Sequence, residues 1–232
     1  MVRTALLFFA VAFLVGCKSQ TAKPGTSATS ERETESQGRE AGTQTENPAI
    51  SPVTEPAASR PSDPPTVNVG LGIEQAYLAI PHRRTIWRED ESTVPPSERA
   101  YLIATFQMLD QAIAVRVAGQ QNFTNQRFDS PDIDGEYGRL ITYARAMPVP
   151  VALASYHAKI IEALADERQF FADWKAERDR FQFGQQPGNH PGVRGASSAL
   201  RAAYGDLVGK YPNESQSNKD AFFDYHCALD FL

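Results

Sequence analysis

The sequence predicts an all-α protein, a bundle of five or six helices preceded by a disordered linker. Three observations carry this. Beyond residue 69 apolar residues recur at spacings of three and four, the helical period, and almost nowhere alternate with polar ones as strands do. No aromatic side chain occurs from Lys18 to Asn68, whereas aromatics run from Tyr77 to Phe231. Prolines at 81, 95, 96, 148, 150 and 212 separate the periodic stretches. Residues 69–232 therefore form one domain, long enough to bury a single core.

The first periodic stretch, Ile73, Ala76, Tyr77 and Ile80, is helical in spacing and meets Pro81, which ends or kinks a helix; the pattern resumes through Ile86 and Trp87. Pro95-Pro96-Ser97 is a start signal with Ser97 as N-cap, and Leu102, Phe106, Leu109, Ile113 and Val117 follow as one stripe. Ile103 and Val115 add apolar surface elsewhere on its circumference, so this helix belongs at the buried centre. A loop from Gly119 to about Gly135 leads to a short helix over residues 136–147, stopped by Pro148 and Pro150. The longest helix is expected over residues 151–183. Leu153, His157, Ile160, Leu164, Phe171, Trp174 and Phe181 form its stripe, with Glu167 and Arg178 interrupting it, and Phe171 and Trp174 are expected inside. A glycine and proline loop spans residues 184–195, with His190 exposed in it. Two more helices follow, through Leu200, Tyr204, Leu207 and Tyr211 and from about Ser217 to Leu229, parted at Pro212-Asn213.

The amino terminus has a different logic. Arg3 precedes an uncharged run from Ala5 to Val15, a positive segment followed by an apolar one of signal-peptide length and too short to span a bilayer. Leu14-Val15-Gly16-Cys17 then resembles the lipobox of bacterial lipoproteins. That resemblance, confined to residues 1–17, implies cleavage before Cys17, a thioether-linked diacylglycerol on its sulfur, and anchorage of the mature chain to a membrane facing away from the cytoplasm. Two or more acyl chains anchor stably where one does not. Lys18, in place of an aspartate, favours the outer membrane if the host is Gram-negative. With Cys17 spent on lipid no disulfide within the chain is expected, and Cys227 reads as a buried structural thiol.

Residues 18–68 hold only Ile50, Val53 and Val67 as sizeable apolar side chains, too few to offset ordering entropy, so a disordered spacer is expected. Its reach, at about 5–6 Å times the square root of its length, is roughly 40 Å. Loss of Arg3 with the signal takes the formal charge from −5 to −6, and there is no long basic run, so nucleic acid is not an expected partner.

Candidate chemistry is sparse. Asp129, Asp132 and Asp134 before Gly135 suggest a calcium loop. On the EF-hand template, however, the first ligand would be Ser130 and the closing position Ile141, so a solvated loop with Asp132 or Asp134 capping the next helix is the simpler reading. His226 and Asp230, four apart, are a candidate metal pair. Asp110, a carboxylate in the most apolar helix, must be paired or protonated; with His157 it is the catalytic candidate, against a partnership with an arginine or histidine across the bundle. There is no Gly-x-Ser-x-Gly, no haem-attachment motif and no phosphate loop, and no cofactor is expected. Three function classes stay open: an envelope lipoprotein whose helical domain binds a protein, wall material or small ligand; a metal- or cofactor-binding bundle; and an enzyme.

Overall fold

The computed structural model describes residues 61–177 and 187–231, and the signal segment, most of the linker and the expected helix end from Arg178 to Phe183 lie outside them. Among the described residues there are six α-helices and no strand: α1 Ile73–Leu78, α2 Pro96–Thr124, α3 Ile133–Ala146, α4 Ala154–Ala176, α5 Pro191–Lys210 and α6 Gln216–Leu229. None of these helices is long and apolar enough to cross a membrane.

α2 is the axis of the bundle. Leu102, Leu109, Ala112, Ile113 and Val115 point around its circumference and are fully buried, with α1, α3 and α6 packed about it. Each fully buried leucine or isoleucine is worth about 1.5–3 kcal/mol, so packing and not helix propensity holds this element. Aromatic rings fill both ends. Phe106 stacks on Tyr225 at 4.7 Å and meets Trp87 at one end; Phe123 meets Phe171, Phe128 and Trp174 at the other. α4 and α5 form the most extensive helix pair.

Several expected boundaries move, and glycine is the commonest reason. α2 continues past Gly119 to Thr124 because that glycine is a contact point: a Cβ there would lie 2.6 Å from Cε1 of Phe171. Likewise α5 begins at Pro191 and not after Gly195, since Gly192 and Gly195 let α5 approach the Asp166 carbonyl and carboxylate of α4. Proline takes the first-turn position of α2, so Pro95 and not Ser97 is the N-cap. The expected helix over residues 151–183 is a 3-10 turn, Val151–Leu153, followed by α4, and among the described residues α2 is longer. No α-helix resumes at Ile86 and Trp87; only a 3-10 turn, Glu89–Glu91, lies in that connection. Phe171 is buried as expected, whereas Trp174 is half-buried against Phe123 and Phe170.

Residues 61–68, expected at the loose end of the linker, are docked as an extended strap on the bundle. The Tyr143 hydroxyl donates to the Ser62 carbonyl (2.5 Å), Arg139 Nη2 donates to the Thr66 carbonyl (3.3 Å), and Gln111 Oε1 accepts from the Val67 amide (3.0 Å). Gly70, at φ +68°, then turns the chain into α1. A second polar clamp closes the other side. Glu214, before α6, accepts from the amides of Thr93 and Val94 and the hydroxyls of Ser92 and Thr93, while Asn218 bonds both backbone groups of Arg88. Burial pushes the Glu214 pKa up, but bonds from Ser92, Asn218 and Thr93 outweigh it and hold the group below the ordinary glutamate value.

Candidate functional site

Asp110 is buried on α2 and committed on both oxygens. The Tyr77 hydroxyl of α1 donates to Oδ1 (3.1 Å), and Arg84, from the connection after α1, donates to Oδ2 (2.6 Å) while also pairing with Glu74. Burial raises the Asp110 pKa, and the bonds and charge of Arg84 and the bond from Tyr77 oppose it. The arginine partnership is therefore the observed one. His157 is half-buried on α4 with Nδ1 2.9 Å from the Tyr101 hydroxyl, and burial lowers its pKa. The two catalytic candidates thus face different partners and are not brought together.

The metal candidates also separate. His226 is buried and donates from Nδ1 to the Phe222 carbonyl (2.5 Å), which leaves Nε2 as the lone-pair nitrogen among Tyr156 and Tyr204; burial lowers its pKa to about 4. Asp230 turns away at the end of α6, accepts from the Ser197 hydroxyl (2.8 Å) and lies 3.6 Å from Arg201. Asp134 forms a two-point pair with Arg168 (2.8 and 3.1 Å), and that bond holds its pKa below the ordinary value. Asp132 is the N-cap of α3, but its carboxylate makes no capping bond and lies over Gly135, where a Cβ would be 2.3 Å away. Among the described residues, Asp129 pairs with Lys175, at 3.8 Å. Among the described residues no group of three or more His, Cys, Asp or Glu is placed to hold a metal ion.

Sequence reasoning missed a cluster deeper in the fold. Glu167, expected to interrupt the stripe of α4, is 1% exposed and accepts a hydrogen bond from the Tyr137 hydroxyl of α3. Arg116 of α2, 5% exposed, lies over the Phe231 ring at 5.2 Å, in the field of Glu167 and Asp230. Burial pushes Glu167 up to about 8 against the Tyr137 bond and the Arg116 charge. Arg116 Nε and Glu167 Oε1 are buried without hydrogen-bond partners. The missed signal was the polar residue at a core position: Glu167 holds the helical spacing of Ile160, Leu164 and Phe171, and Arg116 sits between Val115 and Val117.

On the surface, a groove of about 670 Å³ opens between the strap and α3. It is lined by Asp63 and Pro65 of the strap, by residues of α3 from Gly135 to Ala146, among them Gly138, Arg139, Thr142 and Tyr143, and by Arg168 of α4. Two other surface expectations need correction. His190 is not exposed: it caps α5, accepts from the Gly192 amide at Nδ1 (3.1 Å), and places Nε2 3.2 Å from Asp173. Cys227 is only partly buried on α6 and is bonded in a disulfide, not a thiol; the bond partner lies outside the described residues. Disulfides persist in exported compartments. No family model, no curated protein and no solved structure matches the chain.

Proposed function

We propose that the protein is a lipoprotein of the bacterial envelope, anchored at Cys17 and facing away from the cytoplasm, whose helical domain acts by binding an envelope protein or wall material. In a Gram-negative host the outer membrane is its place. The observation that carries the anchor is Leu14-Val15-Gly16-Cys17 behind a charged and then apolar segment. The binding reading is supported by how the candidate catalytic groups are used. Asp110 is taken by Arg84 and Tyr77, and His157 faces Tyr101. An accessible groove, by contrast, lies beside the strap that leads toward the anchor.

Metabolic labelling with a clickable fatty acid tests the anchor: the wild-type chain takes the label and Cys17→Ala accumulates as unlabelled precursor. Normal labelling and processing of the variant contradicts the reading. The chain holds two cysteines, so a thioether at Cys17 excludes a disulfide between Cys17 and Cys227, and the label on Cys17 must survive a thiol reductant. A Cys17 sulfur that reductant converts to a thiol also contradicts the anchor.

A further inference from the structure

We propose that Arg116 and Glu167 together bind a small monovalent anion of the chloride class inside the bundle, and that the anion binds with a proton on Glu167. The inference goes beyond the binding reading and rests on neither the groove nor the lipid anchor. Its basis is a buried cation that nothing pairs. Arg116 is buried between Val115 and Val117 of α2, its guanidinium lies 5.2 Å from the centre of the Phe231 ring, and its Nε has no hydrogen-bond partner. Among the described residues it is in no ion pair, and it feels Glu167 and Asp230 through their field alone. Arg84, by contrast, meets Glu74 and Asp110 directly. A guanidinium keeps its proton at every working pH, so the charge of Arg116 stays inside the fold.

Glu167 supplies the second half of the site. Its Oε2 takes the Tyr137 hydroxyl, and its Oε1 is buried without a partner. One ordered water would satisfy the hydrogen bonding of Oε1 and of Arg116 Nε. It would not balance the charge. Burial keeps Glu167 neutral up to about 8, so near neutral pH it gives Arg116 no counter-charge. Asp230 is engaged elsewhere, since it accepts from Ser197 and lies 3.6 Å from Arg201. A buried charge is costly unless it is paired, and an anion is what this centre lacks. The proton of Glu167 belongs on Oε1, because Oε2 is taken, and that O–H adds a second donor to the guanidinium.

The surroundings limit the ligand. With one cation to meet, a monovalent ion leaves the site neutral, whereas a divalent ion would leave a buried charge again. Neither Oε1 nor Nε touches solvent, so the ion is about the size of a buried water. The groups that act on Glu167 are Arg116 from α2, Tyr137 from α3 and Asp230 after α6, while Ser197 and Arg201 of α5 act on Asp230. The centre therefore has two neutral states: Arg116 with protonated Glu167 and an anion, and Arg116 with ionised Glu167 alone.

The experiment measures urea unfolding of the full chain in detergent micelles, with sodium chloride exchanged for sodium gluconate at constant ionic strength so that screening is unchanged. At about pH 6 the folded-to-unfolded ratio should rise with chloride, approaching about tenfold for each tenfold increase above its Kd, and at about pH 9.5 the dependence should vanish. Arg116→Met should remove the dependence at both pH values. Glu167→Gln should keep it at both, because its amide donates to the ion and never ionises. No chloride dependence of the wild type at the lower pH overturns the proposal, as does one that Arg116→Met retains or that is equal at both pH values in the wild type. Bromide-soaked crystals of the wild type need no variant: an anomalous peak beside Arg116 is expected below pH 7, and a water or nothing there overturns the site.

Discussion

Two carboxylates near α2 are built from the same parts to different effect. Asp110 and Glu167 each have one tyrosine and one arginine for company and are both buried. Asp110 satisfies both oxygens, with Arg84 from the connection after α1 reaching it directly, at 2.6 Å. Glu167 satisfies one and its Oε1 stays without a partner, while the Nε of the arginine is unpartnered at both sites. The difference shows that a buried acid is a staple only where its partners meet both of its oxygens. Burial raises both acids, and at Glu167 it outweighs the Tyr137 bond and the Arg116 charge and lifts the pKa to about 8.

The largest test of this contrast is Glu167→Leu read above pH 8, where the acid is ionised, since it then removes one of the two acids in whose field Arg116 lies. Breaking a buried pair from one side costs about 3–5 kcal/mol, and the urea midpoint should fall accordingly. Adding Arg116→Met to the same chain should restore most of it, since an apolar pair of similar volume is neutral or better. A double variant as unstable as the single one would show that Arg116 and Glu167 do not interact.

The next effect is in pH. His226 has its folded pKa lowered from 6.5 to about 4, so its unfolded state binds the proton first, and stability is lost as pH falls from 6.5 toward 4. That limb is on the order of 3 kcal/mol. Glu167 works in the opposite sense: its folded pKa is raised from 4.5 to about 8, so the stability it contributes is full below 4.5 and is lost as pH rises toward 8. Glu167→Gln should therefore flatten the alkaline limb of a stability profile and leave the acid limb unchanged.

Asp110→Asn should cost less, about 2 kcal/mol, because the amide oxygen can still accept from Tyr77 or Arg84 while the charge opposite Arg84 is lost. The smallest change is Tyr143→Phe. It removes one bond to the exposed Ser62 carbonyl and should shift the midpoint by no more than about 0.5 kcal/mol. Limited proteolysis reads it better, since a loosened strap is cut faster at residues 61–68 while the rest of the bundle is cut as before.

The helical class and the burial of α2 were legible in the sequence because the stripe through Leu102, Leu109 and Ile113 is long and uninterrupted by proline. The boundaries were less so, and for a physical reason. Glycine has two uses, as a stop and as a place where helices touch, and single-sequence spacing does not separate them. Gly119, Gly192 and Gly195 read as loop signals and are contact points with Phe171 and Asp166. His190 went the same way: in a glycine and proline context it reads as exposed, yet it caps α5. The strap was illegible because residues 61–68 resemble the linker in composition, and only Tyr143 and Arg139, far away in sequence, show that this stretch is held. Of the candidate site residues, Asp110 is found with an arginine, the alternative to a catalytic role. Glu167 was seen and set aside as an interruption, and Arg116 was hidden between valines.

The contrast between the two acids is tested most directly by following the side-chain carboxyl carbon of Glu167 by NMR, with the label assigned through Glu167→Gln, from acid to alkaline pH. The account predicts a titration midpoint near 8, far above the ordinary 4.5, with the helical spectrum intact across the transition. A Glu167 midpoint at or below 4.5 would mean that the Tyr137 bond and the Arg116 charge outweigh burial, and would contradict the account.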